Sequence, residues 1–187
     1  MIRRTLAVLA ILVVCAVGLG SCRTVHPNRD PLGETLPTVS GQSLEKVPFS
    51  LPGEVAGAPA VLVLGFVQDA QFDADRWLLG LLQAQLPVRI LEVPTARGLV
   101  PSLIRGTIDG GMRSGIPSED WGIVWTVYGE GADALQRFTG NERPRNVRVL
   151  LLDGTGQVRW FHDRGYSAGK LLELAGALKE LAAVTPE

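Results

Sequence analysis

The sequence predicts an α/β sandwich with a mixed central sheet flanked by helices, and three observations carry that reading. Ala60 to Val67 is a continuous apolar run rich in β-branched residues, the pattern of a strand buried on both faces. Trp77, Leu78, Leu81, Leu82 and Leu86 recur at helical spacing, as do Leu171, Leu174, Ala175, Leu178 and Leu181. Near the end, Asp153-Gly154-Thr155-Gly156 separates two apolar runs with the residues of a tight hairpin turn.

The elements follow in order. After the first core strand, Asp73 is placed to cap a helix from about Ala74 to Leu86, which Pro87 stops. Val88 to Val93 reads as a second strand, and Gly98 to Arg105 as a short helix broken around Pro101. Gly106 to Pro117 holds glycines at 106, 110, 111 and 115, so it is expected as a loop, long for a compact domain. Trp121 to Val127 resumes strand character, Ala132 to Thr139 is a short helix, and Val147 to Leu152 is a further strand. Val158 to His162 returns antiparallel, and Ser167 caps the closing helix. Short strand–helix–strand connections imply parallel neighbours, and the hairpin adds an antiparallel edge.

The N-terminus has a different character. Arg3 and Arg4 precede an apolar run from Leu6 to Leu19, the layout of a secretory signal peptide. Leu19-Gly20-Ser21-Cys22 resembles the lipobox of bacterial lipoproteins, and that resemblance implies cleavage before Cys22 and a diacylglycerol on its sulfur. The expected organisation is a signal peptide over 1–21, a lipidated cysteine and flexible tether over 22–40, and one domain over 41–184. Pro27, Pro31, Pro37, Gly33, Asn28 and Asp30 give the tether its extended character. The resemblance places the protein in the bacterial cell envelope, held to a membrane by its lipid and facing the periplasm or exterior. Loss of Arg3 and Arg4 leaves 16 basic against 19 acidic residues, a balance that gives nucleic acid no foothold. The other cysteine, Cys15, lies in the discarded peptide, so no free thiol remains for thiol catalysis, disulfide exchange or Cys-ligated metals.

Ser40 to Leu44, Leu51-Pro52, Gly57 and the strand Val61 to Phe66 resemble the entry to a thioredoxin or peroxiredoxin domain. Leu150 to Trp160 resembles that superfamily's closing hairpin. It more closely resembles the hairpin of the mitochondrial ATP synthase assembly factor family, ATPase complex subunit ten, which Trp77 also suits. The likeness spans about 41–181. It implies a thioredoxin-like sandwich and, through the second family, a protein partner and a role in assembling a membrane complex. The departure is chemical. Redox-active members carry one or two cysteines in the turn after the first core strand, where a helix N-terminus lowers the thiol pKa. Here that turn is Val67 to Asp73, without cysteine.

Gln68, Asp69, Gln71, Asp73 and Asp75 gather at that turn and, with Arg76, form a candidate recognition patch. The plainer reading is a helix start, which favours acids and capping side chains. Asp109 to Pro117 is the second candidate segment, in which glycines admit a ligand to the backbone and Arg113 can meet an anion. It lacks the Gly-Lys-Ser/Thr end of a phosphate loop. Asp109 and Arg113 complete the candidate set for partner or ligand binding. His162-Asp163 are adjacent on a strand and point apart, Ser167-Ala168-Gly169-Lys170 lacks the companion motifs of a serine acylase, and no metal or cofactor is expected. Trp121, Trp125, Trp160 and Tyr128 either pack in the core or form an aromatic binding face. The expected function is a membrane-anchored, redox-inactive protein that binds a protein partner, with no catalytic residues assigned. The alternative is a thiol-free enzyme or small-ligand binder that uses the Asp69–Asp75 edge and the Asp109–Pro117 loop.

Overall fold

The computed structural model describes residues 24–98 and 102–184. The proposed signal peptide, Cys22 and the break at Pro101 lie outside the described residues. Among the described residues seven strands form one sheet: β1 (Val39–Ser43), β2 (Pro48–Leu51), β3 (Ala60–Gly65), β4 (Arg89–Ala96), β5 (Trp125–Tyr128), β6 (Arg148–Leu152) and β7 (Val158–His162). Their order is β2-β1-β5-β4-β3-β6-β7. β3 pairs in parallel with β4, and β4 with β5, while β6 runs antiparallel to both β3 and β7. β1 and β2 form an antiparallel hairpin on the far edge. The helices are α1 (Gln71–Ala84), α2 (Ser102–Gly115), α3 (Glu130–Thr139) and α4 (Ala168–Val184).

Alternation along the strands divides the core into two layers. Leu62, Leu64, Leu91, Val93, Leu150 and Leu152 face α3, where Leu135 and Phe138 cover them. Val61, Val63, Val149 and Leu151 face α1 and α4, against Trp77, Leu81, Leu174 and Leu178. Because helices close both faces, the central strands carry apolar residues at almost every position. Trp125 and Trp160 divide in the same way rather than forming one face. Trp125 stacks on Phe49 at 4.4 Å in the first layer, while Trp160 meets Trp77 edge-on at 6.1 Å in the second.

Three sequence expectations are corrected. Residues 106–115, expected as a loop, are helical within α2. The strand expected from Trp121 begins at Trp125, preceded by a 3-10 turn over Ser118–Ile123. The tether is extended but does not stand free. Leu36 is buried, Gly33 and Leu36 donate backbone hydrogen bonds to Val158 and Gly156, and Thr35 bridges Gln157. Further back, Asn141 receives His26 N–H at 2.7 Å and donates to the Thr24 carbonyl at 3.1 Å.

Arg148 joins this strap to the sheet. It is wholly buried, its Nη2 donates to Asn28 Oδ1 at 3.1 Å, and its Nη1 donates to the carbonyls of Arg143 and Asn146. Burial pulls its guanidinium down to about 10, so it stays charged at neutral pH. The Phe66 ring lies 5.0 Å beneath it.

Candidate functional site

The site is built where β3 hands over to α1. β3 ends at Gly65, a short turn through Gln68–Ala70 leads into the helix, and β4 runs alongside to Ala96. Thr95 Oγ1 donates to the Gly65 carbonyl at 3.1 Å and ties the two strand ends together. α2 crosses over this edge, and beneath it lies a cavity of about 480 Å³. Val67, Ala74, Pro94, Ile108 and Met112 give it an apolar wall. Its polar groups are Gln68, Gln71, Glu92, Thr95 and Thr107.

Glu92 is the group that sequence reasoning missed. It sits on β4 between Leu91 and Val93, which point into the opposite layer, so its side chain turns toward α1 and is only 8% exposed. Gln71 Nε2 donates to Glu92 Oε1 at 3.2 Å and to Asp75 Oδ1 at 2.9 Å, linking the two carboxyls through one amide. Burial pushes the Glu92 carboxyl above its ordinary range. The Gln71 hydrogen bond opposes this rise, and the negative charge of Asp75 adds to it. Among the described residues no lysine or arginine forms an ion pair with Glu92. The sequence did carry a signal: a lone acid inside the strand Ile90 to Val93.

The predicted residues separate into distinct roles. Gln68 and Gln71 line the cavity. Asp69 stays at the surface with Arg145 at 3.4 Å. Asp73 does not cap the helix, which already begins at Gln71; its carboxylate instead accepts the backbone N–H groups of Val147 and Tyr166 at 2.9 and 2.7 Å. Asp73 therefore staples α1 to the two loops that flank β6 and β7. Arg76 lies outside the cavity, its guanidinium 5.9 Å from the Phe72 ring. Asp109 accepts the Tyr128 hydroxyl at 2.7 Å; burial and this hydrogen bond push the phenol above its ordinary range. Arg113 Nε donates to the Leu44 carbonyl at 2.7 Å and its guanidinium lies over Trp121. Asp109 and Arg113 thus pin α2 in place, and the helix they hold supplies Thr107, Ile108, Gly111 and Met112 to the cavity. Among the described residues no three histidine, cysteine or acidic side chains converge to hold a metal ion, and no helix is long and apolar enough to cross a membrane.

No family model matches the sequence, and no curated protein matches it. Solved structures do match its fold. A thiol peroxidase from Chromobacterium violaceum aligns over 84% of this chain and 92% of its own, at 14% identity and a TM-score of 0.53. BsSco, of the Sco family of cytochrome c oxidase assembly proteins, aligns over 84% and 98%, at 9% identity and a TM-score of 0.56. The exposed lipoprotein thioredoxin Etrx1 of Streptococcus pneumoniae aligns over 75% and 98%, at 10% identity and a TM-score of 0.52. Identities this low establish fold alone, and the fold is that of the thioredoxin-like superfamily. The chain has a thioredoxin-like fold, and its only cysteines are Cys15 and Cys22, both N-terminal to the described domain.

Proposed function

We propose that this chain is a lipid-anchored, redox-inactive thioredoxin-like protein that binds a protein partner through the edge where its relatives in fold do thiol chemistry. Cys22 carries the lipid, and the cavity beneath α2 receives a group from the partner in the assembly of a membrane complex. The observation that carries this reading is convergence. The turn after β3 and the glycine-rich segment, far apart in sequence, form opposite walls of one cavity at the N-terminal end of α1. A lipoprotein thioredoxin and an assembly protein of the Sco family share the fold, which agrees with both halves of the proposal.

The test places a photo-crosslinking residue at Gln68 in the full-length chain in its native membrane. A defined protein product is expected, along with an N-terminal peptide carrying the diacylglycerol mass that disappears in Cys22→Ser. Gly111→Phe adds a ring at the cavity wall, where a Cβ meets nothing within 4 Å, and should abolish the product. A product indifferent to Gly111→Phe, or no product at all, would sink the partner reading. The small-ligand alternative draws on the cavity's size, about 480 Å³, which falls among small-molecule sites. Ligand-induced thermal stabilisation without a crosslink would favour it.

A further inference from the structure

We propose that the cavity beneath α2 selects an organic cation, an ammonium or guanidinium group on an apolar stem, with Glu92 as its counter-ion. This rests on the reading of the cavity as the binding edge and specifies what enters it. Three features define the ligand. Glu92 is nine-tenths buried at the cavity wall, and Gln71 is its one hydrogen-bond donor among the described residues. A buried carboxylate without a cation is strongly unfavourable, whereas a paired one gains from the low local dielectric. A cation entering the cavity would therefore offset the cost of ionising Glu92.

The second feature is that the surroundings reinforce this sign. Asp75 shares the Gln71 amide with Glu92, and the α2 residues on the opposite wall, Thr107, Ile108, Gly111 and Met112, carry no charge. The arginines of α2 are engaged elsewhere: Arg113 at Leu44, and Arg105 over the Tyr128 ring at 5.1 Å. The third feature is the wall itself. Val67, Ala74, Pro94 and Met112 line the same cavity as the acid and give it apolar surface, which suits methylenes rather than a hydrated metal ion.

The source of the cation is either a lysine or arginine side chain of the partner or a free alkylamine; the chemistry recognised is the same. The full-length chain, labelled with nitrogen-15 in detergent, is titrated with n-butylammonium, butylguanidinium, butanol and butyrate. Saturable shifts are expected at the Gln71 side-chain amide and the Gly65 and Ala96 backbone amides with the two cations, and none with butyrate. Glu92→Gln should weaken the cations by about ten- to a hundred-fold and leave butanol unchanged. A peptide with blocked termini whose one charged group is a lysine distinguishes the sources. Tighter binding than butylammonium assigns the cation to a protein, and weaker binding to a free amine. Butanol saturating the same signals as tightly as butylammonium overturns cation selection while leaving the cavity as the binding edge. Failure of all four probes at Gln71, with no crosslink from Gln68, overturns both readings.

Discussion

Asp153 and Glu92 are both carboxyls largely shielded from water, and their surroundings drive them in opposite directions. Burial alone would raise Asp153. Thr155 donates to it through both hydroxyl and N–H, Gln157 through N–H and Arg159 through Nε, and together these hold it down to about 2. A lowered folded-state pKa means stability present above the unfolded value of roughly 3.9 and lost as pH falls toward about 2. Asp153→Asn should cost about 2 kcal/mol above that window and remove the slope within it. Glu92 has the opposite sign. Its raised value means that stability is full at low pH and declines as the carboxyl is forced to ionise beside Asp75. Glu92→Gln should match the parent in acid and exceed it increasingly toward neutrality. Urea midpoints across about pH 2 to pH 8 check both, and parallel curves for parent and either variant would refute that assignment. The hairpin aspartate was legible from Asp153-Gly154-Thr155-Gly156, because turn residues act locally. Glu92 showed only as a lone acid inside an apolar strand, since its importance comes from α1 and α2 meeting over it. Asp73 was misread for the same reason: its partners, Val147 and Tyr166, are far away in sequence.

At the scale of elements, α2 is the helix that intrinsic propensity argues against. Each glycine costs a helix interior about 1 kcal/mol relative to alanine, and Gly106, Gly110, Gly111 and Gly115 all fall within it. None of the four adopts positive φ, and a Cβ at any of them meets nothing within 4 Å, so neither a turn nor close packing requires them. Every described side chain of α2 is half-buried or exposed. The helix survives on a few contacts, from Arg113 to Leu44, Asp109 to Tyr128 and Arg105 across the Tyr128 ring. Such an element opens by itself at low cost, and here opening it uncovers the cavity. Gly106→Ala and Gly110→Ala should each slow amide exchange in α2 by about four- to five-fold without changing exchange in β3 or β6. Equal slowing in the sheet would mean that α2 opens only with the whole fold. Glycine count made this segment read as a loop. A helical signal, Ile104, Ile108 and Met112 recurring every fourth residue, is present in the sequence but was not read. The central strands were legible because burial on both faces leaves an apolar run, and the closing helix because its apolar residues recur at helical spacing, whereas the β1–β2 hairpin was not read as strands.

At the scale of the molecule, the strap over residues 24–36 determines how the body is presented. Its composition, rich in proline and polar residues, is that of a free linker, and only Leu36 betrays an anchor in the sequence. What docks it is tertiary: Asn141 with His26 and Thr24, Asn28 with Glu142 and Arg148, and Arg97 with Thr24. Gly140 makes room for the strap, because a Cβ there would lie 2.3 Å from the Pro27 carbonyl. If Cys22 carries a lipid, as proposed, the two residues that reach Thr24 would span at most about 7 Å. On that proposal the body would be held against the bilayer rather than stood off from it, with the α3 side expected toward the lipid and the α4 side away. Fluorophores at Arg137→Cys and Glu180→Cys, on α3 and α4, measure this in membrane-bound chain whose acylation at Cys22 has first been checked by mass. Brominated lipid should quench the first strongly and the second little. Asn141→Ala removes the side-chain bonds to His26 and Thr24 and should bring the two signals together. Equal quenching in the parent chain would mean that the strap does not orient the domain. Unequal quenching that Asn141→Ala leaves intact would assign the orientation to the protein surface instead.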